Sequence, residues 1–307
     1  MKIFITGASG YIGGAVAAAL VDAGHAVSGL ARSAASEDAL KARGIVPVSG
    51  TLDDRDALAA AARAADVTVN AANAGHRGAA EAIAAALAGT GKAFIHTSGS
   101  SIVGTRAKGE LVEAVFDEDT PFTPTPQRAA RVAIDNMVRA AAGNGVRSVV
   151  IASSLIYGRG RGLNPNSIQV PWLIALARKN GVATHIGPGE NRWSNAHIDD
   201  VVKLYVAAIE KAPAGAFYFA ANGESSMREM CEAIGRMLGF GGRTQSMAVE
   251  QAAIEWGGGP ANDTMGSNSR VRARRARAEL GWTPAGEPLL AEIERGCYAR
   301  EESKPLR

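Results

Sequence analysis

The first half of the chain alternates short runs of apolar and branched residues with longer alanine-rich segments. Short apolar runs bounded by glycine or polar residues read as buried strands. They fall at Lys2 to Thr6, Ala26 to Ala31, Val46 to Ser49, Val67 to Asn70, Ala93 to Thr97 and Ser148 to Ala152. The segments Tyr11 to Ala23, Asp53 to Ala64, Gly78 to Ala88 and Arg128 to Ala142 predict helices, because alanine has the highest helix propensity. Strand and helix in strict alternation predict repeated βαβ units. The expected fold is therefore α/β, a doubly wound parallel Rossmann sheet buried on both faces.

After Tyr157 the alternation ends in Gly158-Arg159-Gly160-Arg161-Gly162 and Asn164-Pro165-Asn166, an irregular loop. Helices are expected at Gln169 to Lys179, Asp199 to Lys211, Met227 to Leu238 and Pro288 to Arg295, with a strand at Ala216 to Ala220. This predicts a Rossmann domain over residues 1–157, rejoined by about 195–221. Residues 158–194 and 222–307 would form a smaller substrate-binding cap over the strand C-terminal ends, where ligands bind in open α/β sheets.

Composition adds that large side chains are scarce: about a fifth of the 307 residues are alanine and 36 are glycine, so backbones must pack closely. The net charge of +3 gives no reason to expect a nucleic-acid partner, and no stretch approaches the ~18 apolar residues of a membrane span. Cys231 and Cys297 are the only cysteines, so no zinc pattern exists and no metal is expected. With too short an apolar run for a signal peptide at its start, the chain reads as cytoplasmic. Arg270, Arg272, Arg274, Arg275 and Arg277 read as the solvated side of a short helix, or alternatively as a phosphate or partner contact.

Gly7-Ala8-Ser9-Gly10-Tyr11-Ile12-Gly13 follows the first strand and opens the first helix, so its glycines stand where a pyrophosphate must approach backbone closely. The second strand ends at Arg32-Ser33, where an NAD-preferring fold carries an acid. A guanidinium and a hydroxyl there suit a 2′-phosphate, so the expected cofactor is NADP, with NADPH preferred over NADH.

TGASGYIGG at Thr6 to Gly14, Thr51-Leu52-Asp53-Asp54 and Thr97-Ser98-Gly99 resemble the short-chain dehydrogenase/reductase superfamily. Asp117-Glu118-Asp119-Thr120-Pro121, Ile156-Tyr157-Gly158-Arg159-Gly160, His197-Ile198-Asp199-Asp200 and Leu280-Gly281-Trp282-Thr283-Pro284 resemble its extended, NAD(P)-dependent epimerase/dehydratase-like branch. The resemblance implies that Leu52 and Asp53 lie at the adenine, Ala71, Ala72 and Asn73 beside the cofactor ribose, and Ser153, Ser154 and Leu155 near the nicotinamide, with Thr97 also at the cofactor. It also makes a homodimer through sheet-flanking helices a reasonable expectation.

In that superfamily a Tyr and a Lys four residues on share one helix, and an upstream Ser steadies the substrate oxygen. Aligned on Asp135, those helix positions hold Gln127 and Arg131, and none of the five tyrosines has a lysine four residues on. The serine position falls on Gly99, flanked by Ser98 and Ser100. This pattern resembles the atypical short-chain dehydrogenase/reductases, which keep the glycine motif and often lack the active-site tetrad. Gln127 can orient a carbonyl but not ionise, and Arg131 supplies charge but not a proton.

Tyr157 is the first candidate for the missing acid, against a packed loop anchor as the alternative. His197 is either an acid or a domain-joining residue; His76 and His185 are weaker, and His25 and His96 read as structural. Arg192 and Trp193 offer a guanidinium and an aromatic plate for substrate, or a turn at the domain seam. The leading expectation is an NADP(H)-dependent oxidoreductase for a small carbonyl, imine or activated alkene. Its rivals are a non-catalytic NADP-binding sensor and an epimerase or dehydratase with retained cofactor. No HExxH or Walker motif supports a metal hydrolase or kinase.

Overall fold

The computed structural model describes residues 1–302. Seven parallel strands form the central sheet: β1 (Lys2–Thr6), β2 (Ala26–Ala31), β3 (Val46–Ser49), β4 (Val67–Asn70), β5 (Ala93–Gly99), β6 (Arg147–Ser153) and β7 (Ala216–Ala220), in the order β7-β6-β5-β4-β1-β2-β3. The order reverses between β1 and β4. Right-handed crossovers then place successive helices on opposite faces of the sheet, and the reversal opens a crevice at the strand C-terminal ends.

The connecting helices are α1 (Tyr11–Asp22), α2 (Ala34–Lys41), α3 (Arg55–Ala64), α4 (Arg77–Leu87) and α5 (Pro126–Ala140), followed by α6 (Gln169–Asn180), α7 (Ile198–Lys211) and α8 (Met227–Met237). α1 packs on α7, while α3 packs on α4 and α4 on α5. Alanines make these approaches close: Ala79, Ala80 and Ile83 of α4 are fully buried, as are Ile3, Phe4 and Ile5 of β1 between the helical layers.

Helix α2 was absent from the sequence expectations because only Leu40 of its eight residues is buried, leaving almost no apolar stripe to read. Its signal is the Ser33 cap, whose hydroxyl accepts from the Ser36 amide at 3.3 Å. Several short strands were also missed, three of which share one sheet. Leu155–Tyr157 pairs in parallel with Arg192–His197, which pairs antiparallel with Gly223–Ser226. Serines, glycines and asparagine hide the strand period in these segments.

A second apolar cluster gathers Leu155, Tyr157, Leu173, Trp193, Met230, Ile234, Ile293 and Tyr298. Two polar devices hold the C-terminal part of the chain against the main core. Asp200, at the start of α7, accepts from the amides of Ala285 at 3.0 Å and Gly286 at 2.7 Å, and its carbonyl accepts from Trp282 Nε1 at 2.8 Å. The acidic loop at Asp117 meets the arginine cluster: Arg274 pairs with Asp117 at 2.9 Å, Arg275 with Asp119, and Glu118 accepts from the Phe219 amide at 3.1 Å. Most of the arginine cluster therefore holds a seam, and Arg277 lies over the Trp282 ring at 5.4 Å. Among the described residues no helix is long and apolar enough to cross a membrane.

Asp200 is a buried carboxylate with two backbone donors and Lys203 at 3.1 Å, so its removal orphans the amides at a covered seam. Asp200→Ala is expected to lower unfolding stability by about 3 kcal/mol, measured by urea titration at neutral pH. Loss of under about 1 kcal/mol would show that the contact is not needed to close the seam.

Candidate active site

The turn from β1 into α1 is built on missing side chains. Gly7 has φ +74°, and a Cβ on it would lie 2.8 Å from the Ala71 and Ala72 backbone. A Cβ on Gly13 would lie 2.3 Å from the Gly7 carbonyl oxygen. Gly10 caps α1 without any side-chain hydrogen bond, so the first-turn amides are left for a ligand. Ser9 is exposed, and Tyr11 and Ile12 are half-buried along that turn. Tyr11 donates its hydroxyl to the Gly158 carbonyl at 2.7 Å, fastening the turn to the loop after Tyr157.

Around this cradle the strand ends present the other expected contacts. Arg32 and Ser33 are exposed after β2; the Arg32 side chain has no hydrogen bond or ion pair among the described residues, while Ser33 is committed to capping α2. Leu52 is half-buried and Asp53 is exposed, with Asp53 Oδ1 3.1 Å from His76 Nε2. His76 Nδ1 accepts from the Ala79 amide and caps α4. Ala71, Ala72 and Asn73 follow β4 at the cradle's edge, with the Ala71 amide on Thr6. The residues present fit a dinucleotide: a side-chain-free helix start for the pyrophosphate, with a free cation at the second strand.

At the end of β5 the hydroxyls separate by direction. Thr97 bonds Tyr205 at 2.7 Å, Ser98 donates to Asp135 Oδ2 at 2.7 Å, and Ser100 bonds Ser269 at 2.7 Å; all three are buried. Ser98 and Ser100 therefore have committed hydroxyls, contrary to the expectation that one of them steadies a substrate. The group missed by sequence reasoning is Ser101, whose Oγ lies 3.4 Å from Arg131 Nη1. A Cβ on Gly99 would point to the same place, 3.6 Å from Arg131 Nη1 and 3.8 Å from Ser101 Oγ. The run of hydroxyls in 97–101 was the available signal, but the strand gives way to a 3₁₀ turn at Ser100, which sends Ser101 back to the site.

Tyr157 is 3% exposed, and its hydroxyl donates to the Glu287 carbonyl at 2.8 Å. Burial, together with nearby Asp200 and Glu292, pushes the phenol up, away from useful acidity. This corrects its expected role as acid in favour of the packed anchor. His197 Nδ1 accepts from the Asp199 amide as the cap of α7, and the ring packs edge-on to Tyr157 at 5.4 Å. Trp193 is buried with Nε1 on the Ser267 carbonyl at 2.8 Å, and Arg192 pairs with Glu229 at 3.4 Å. These three pack at the seam, with Trp193 Nε1, His197 Nδ1 and the Arg192 Nη groups engaged by the protein itself. Ser154 likewise donates to the Ala220 carbonyl, while Ser153 and Leu155 are buried at the end of β6.

A buried polar chain runs beneath this floor. Thr6 donates to Asn70 Oδ1 at 2.6 Å, so Asn70 Nδ2 donates to His96 Nδ1 at 3.1 Å and the His96 proton sits on Nε2. That nitrogen is 3.7 Å from Asp135 Oδ1, and both atoms lack a hydrogen bond. Burial lowers His96 to about 4, helped by Arg131. Burial raises Asp135 to about 6, against the Ser98 bond and the charges of Arg131 and Arg139. Gln127 is exposed in the first turn of α5, one turn before Arg131.

The chain matches the NAD dependent epimerase/dehydratase family over residues 3–90 and 76–219. It belongs to that family. Oxidase ucsJ of an Acremonium species is 33% identical over 95% of both chains. The 2-alkyl-3-oxoalkanoate reductase of Stenotrophomonas maltophilia is 30% identical over 75% of this chain and 73% of that protein. Among solved structures, the dTDP-glucose 4,6-dehydratase of Bacillus anthracis in complex with NAD superposes with a TM-score of 0.76 at 17% identity, covering 99% of this chain and 97% of that one. Likeness to that structure confirms the Rossmann-like fold.

The buried pair predicts a pH signature. Folded Asp135 keeps a proton that the unfolded chain has lost between the ordinary value of 3.8 and about 6, so its contribution to stability falls as pH rises through that window. His96 acts oppositely: it stays neutral in the fold, and stability falls as pH drops from 6.5 to about 4. Asp135→Asn removes only the first effect. Relative to wild type the variant should gain roughly 2 kcal/mol on going from about pH 4 to about pH 6. Urea unfolding at several pH values checks this; a pH-independent difference would contradict the raised carboxyl.

Proposed function

We propose that the protein is an NADP(H)-dependent oxidoreductase that reduces a ketone. The observation that carries this reading is the Arg131 guanidinium beside Ser101 and the side-chain-free face of Gly99, at the strand ends that also form the glycine cradle. The reductase among the relatives and the NAD in the solved neighbour support the same chemistry. Gly7, Gly10, Gly13 and the first-turn amides would hold the pyrophosphate, and Arg32 would take a 2′-phosphate. When bound, the nicotinamide supplies the hydride.

The chain's own residues orient and stabilise. Arg131 and the Ser101 hydroxyl place fixed donors where a carbonyl oxygen gains negative charge, and such donors lower the barrier when they need no reorganisation. Gln127 extends this row with an amide that orients the carbonyl without ionising. Because Gln127 is exposed, water reaches the nascent alkoxide and delivers the proton, so no phenol is needed.

Two outcomes follow. Tyr157→Phe should keep turnover within about threefold while losing about 1 kcal/mol of stability with the Glu287 bond; a loss of turnover beyond about a hundredfold would restore the phenol as acid. Arg32→Ala should weaken NADPH binding about tenfold and leave NADH nearly unchanged, read by calorimetry. Equal losses for both would reject the 2′-phosphate role. Tight NADPH binding with no consumption across a ketone panel would favour a sensor over a reductase.

A further inference from the structure

Beside Arg131, two more arginines converge on one acid from the cap. Asp263 sits in a π-helical turn, Ala261–Met265, a wide turn that recurs at functional sites. Arg106 grips its carboxylate with two bonds, Nε to Oδ1 at 2.6 Å and Nη2 to Oδ2 at 2.9 Å. Arg128, half-buried one turn before Arg131 on α5, donates Nη2 to the Asp263 main-chain carbonyl at 2.9 Å. Burial lowers Arg128, with Arg131 and Arg106 adding to that effect and Asp263 opposing it. Asp263 thus bridges Arg106 and Arg128, and Arg131 follows Arg128 by one turn of α5.

Three cations and one carboxylate leave a surplus of two positive charges. Asp263 is already held bidentately by Arg106, so it does not neutralise Arg128. A guanidinium carries five N–H donors. Arg128 spends one on a neutral carbonyl, and Arg131 makes a single long bond at 3.4 Å. Both side chains are half-buried and one turn apart on α5, so a planar anion lying beside Ser101 can be met by both guanidiniums.

We propose that Arg128 and Arg131 bind a carboxylate on the substrate, which makes the substrate an anionic oxo acid whose ketone lies next to that carboxylate. The carbonyl half of this statement rests on the reductase reading, whereas the carboxylate half does not. Asp263 tunes the clamp: it positions Arg128 through its main-chain oxygen while its charge weakens anion binding.

The test uses the full protein loaded with NADP+ and two probes, 2-oxooctanoate and its methyl ester, titrated by calorimetry. The acid should bind at least about tenfold tighter than the ester, and that preference should shrink as salt rises. Arg128→Gln should reduce the preference to about twofold with NADP+ affinity unchanged, while stability falls modestly with loss of the Asp263 bond. Should Arg128→Gln fail to fold, Asp263→Asn tests the same point from the other side, since deleting the acid should tighten the oxo acid about threefold and leave the ester unmoved. No binding of the acid, equal binding of acid and ester, or an Asp263→Asn effect on both probes alike would overturn the clamp. NADPH consumption is read separately: acid preference without consumption rejects the reductase reading and keeps the clamp, and turnover of neutral ketones alone does the reverse.

Discussion

The close approach between the first turn and the end of β4 is the constraint from which the rest follows. With Gly7 against the Ala71 and Ala72 backbone and Gly13 against the Gly7 carbonyl, no side chain of any size fits between the strand ends and α1. The fold meets that demand with a chain in which small residues are abundant throughout. Ala8 touches the space beside Gly29, and Gly14 lies against Gly162 of the loop after Tyr157. Close backbones leave the α1 amides unobstructed, and an N-terminus without a side-chain cap is a standing attraction for anions.

Small side chains pack well but offer little polarity, so charge has been concentrated at the seams. The Asp117 to Asp119 loop locks to Arg274 and Arg275, Asp200 collects the chain at Ala285 and Gly286, and Arg147 donates to the last carbonyls of α7 at Ala208, Ile209 and Ala212. Arg128 and Arg131 differ from Arg274 and Arg275, since neither donates to a carboxylate: Arg128 donates to the Asp263 main-chain carbonyl and Arg131 to Ser101. That difference separates arginines that hold the structure from arginines available to a ligand.

The sheet was legible because its strands are apolar runs between glycines and its helices carry alanine at high density. α2 and the strand at Arg192 were not, because their side chains are polar and their order comes from capping and from neighbours distant in sequence. The glycine cradle was equally plain from its place between strand and helix. The floor was harder. Spacing put Ser98 and Ser100 beside Gly99, but backbone direction gives those hydroxyls to Asp135 and Ser269 and brings Ser101 to Arg131 instead. Tyr157 looked chemical in sequence because loop tyrosines near such strands can reach a ligand; a single bond to the Glu287 carbonyl, formed by residues 130 apart, reverses that reading. Long-range contacts of this kind leave no local trace.

What distinguishes a reductase from an epimerase or dehydratase built on the same cradle is the fate of the hydrogen at the nicotinamide. NADPH carrying deuterium at the transferable C4 position, incubated with the protein and a ketone that it consumes, traces that hydrogen directly by mass spectrometry. A reductase places one deuterium on the alcohol carbon, matched mole for mole by oxidised cofactor. A product free of deuterium, formed while the cofactor label and redox state stay intact, would contradict the reductase reading.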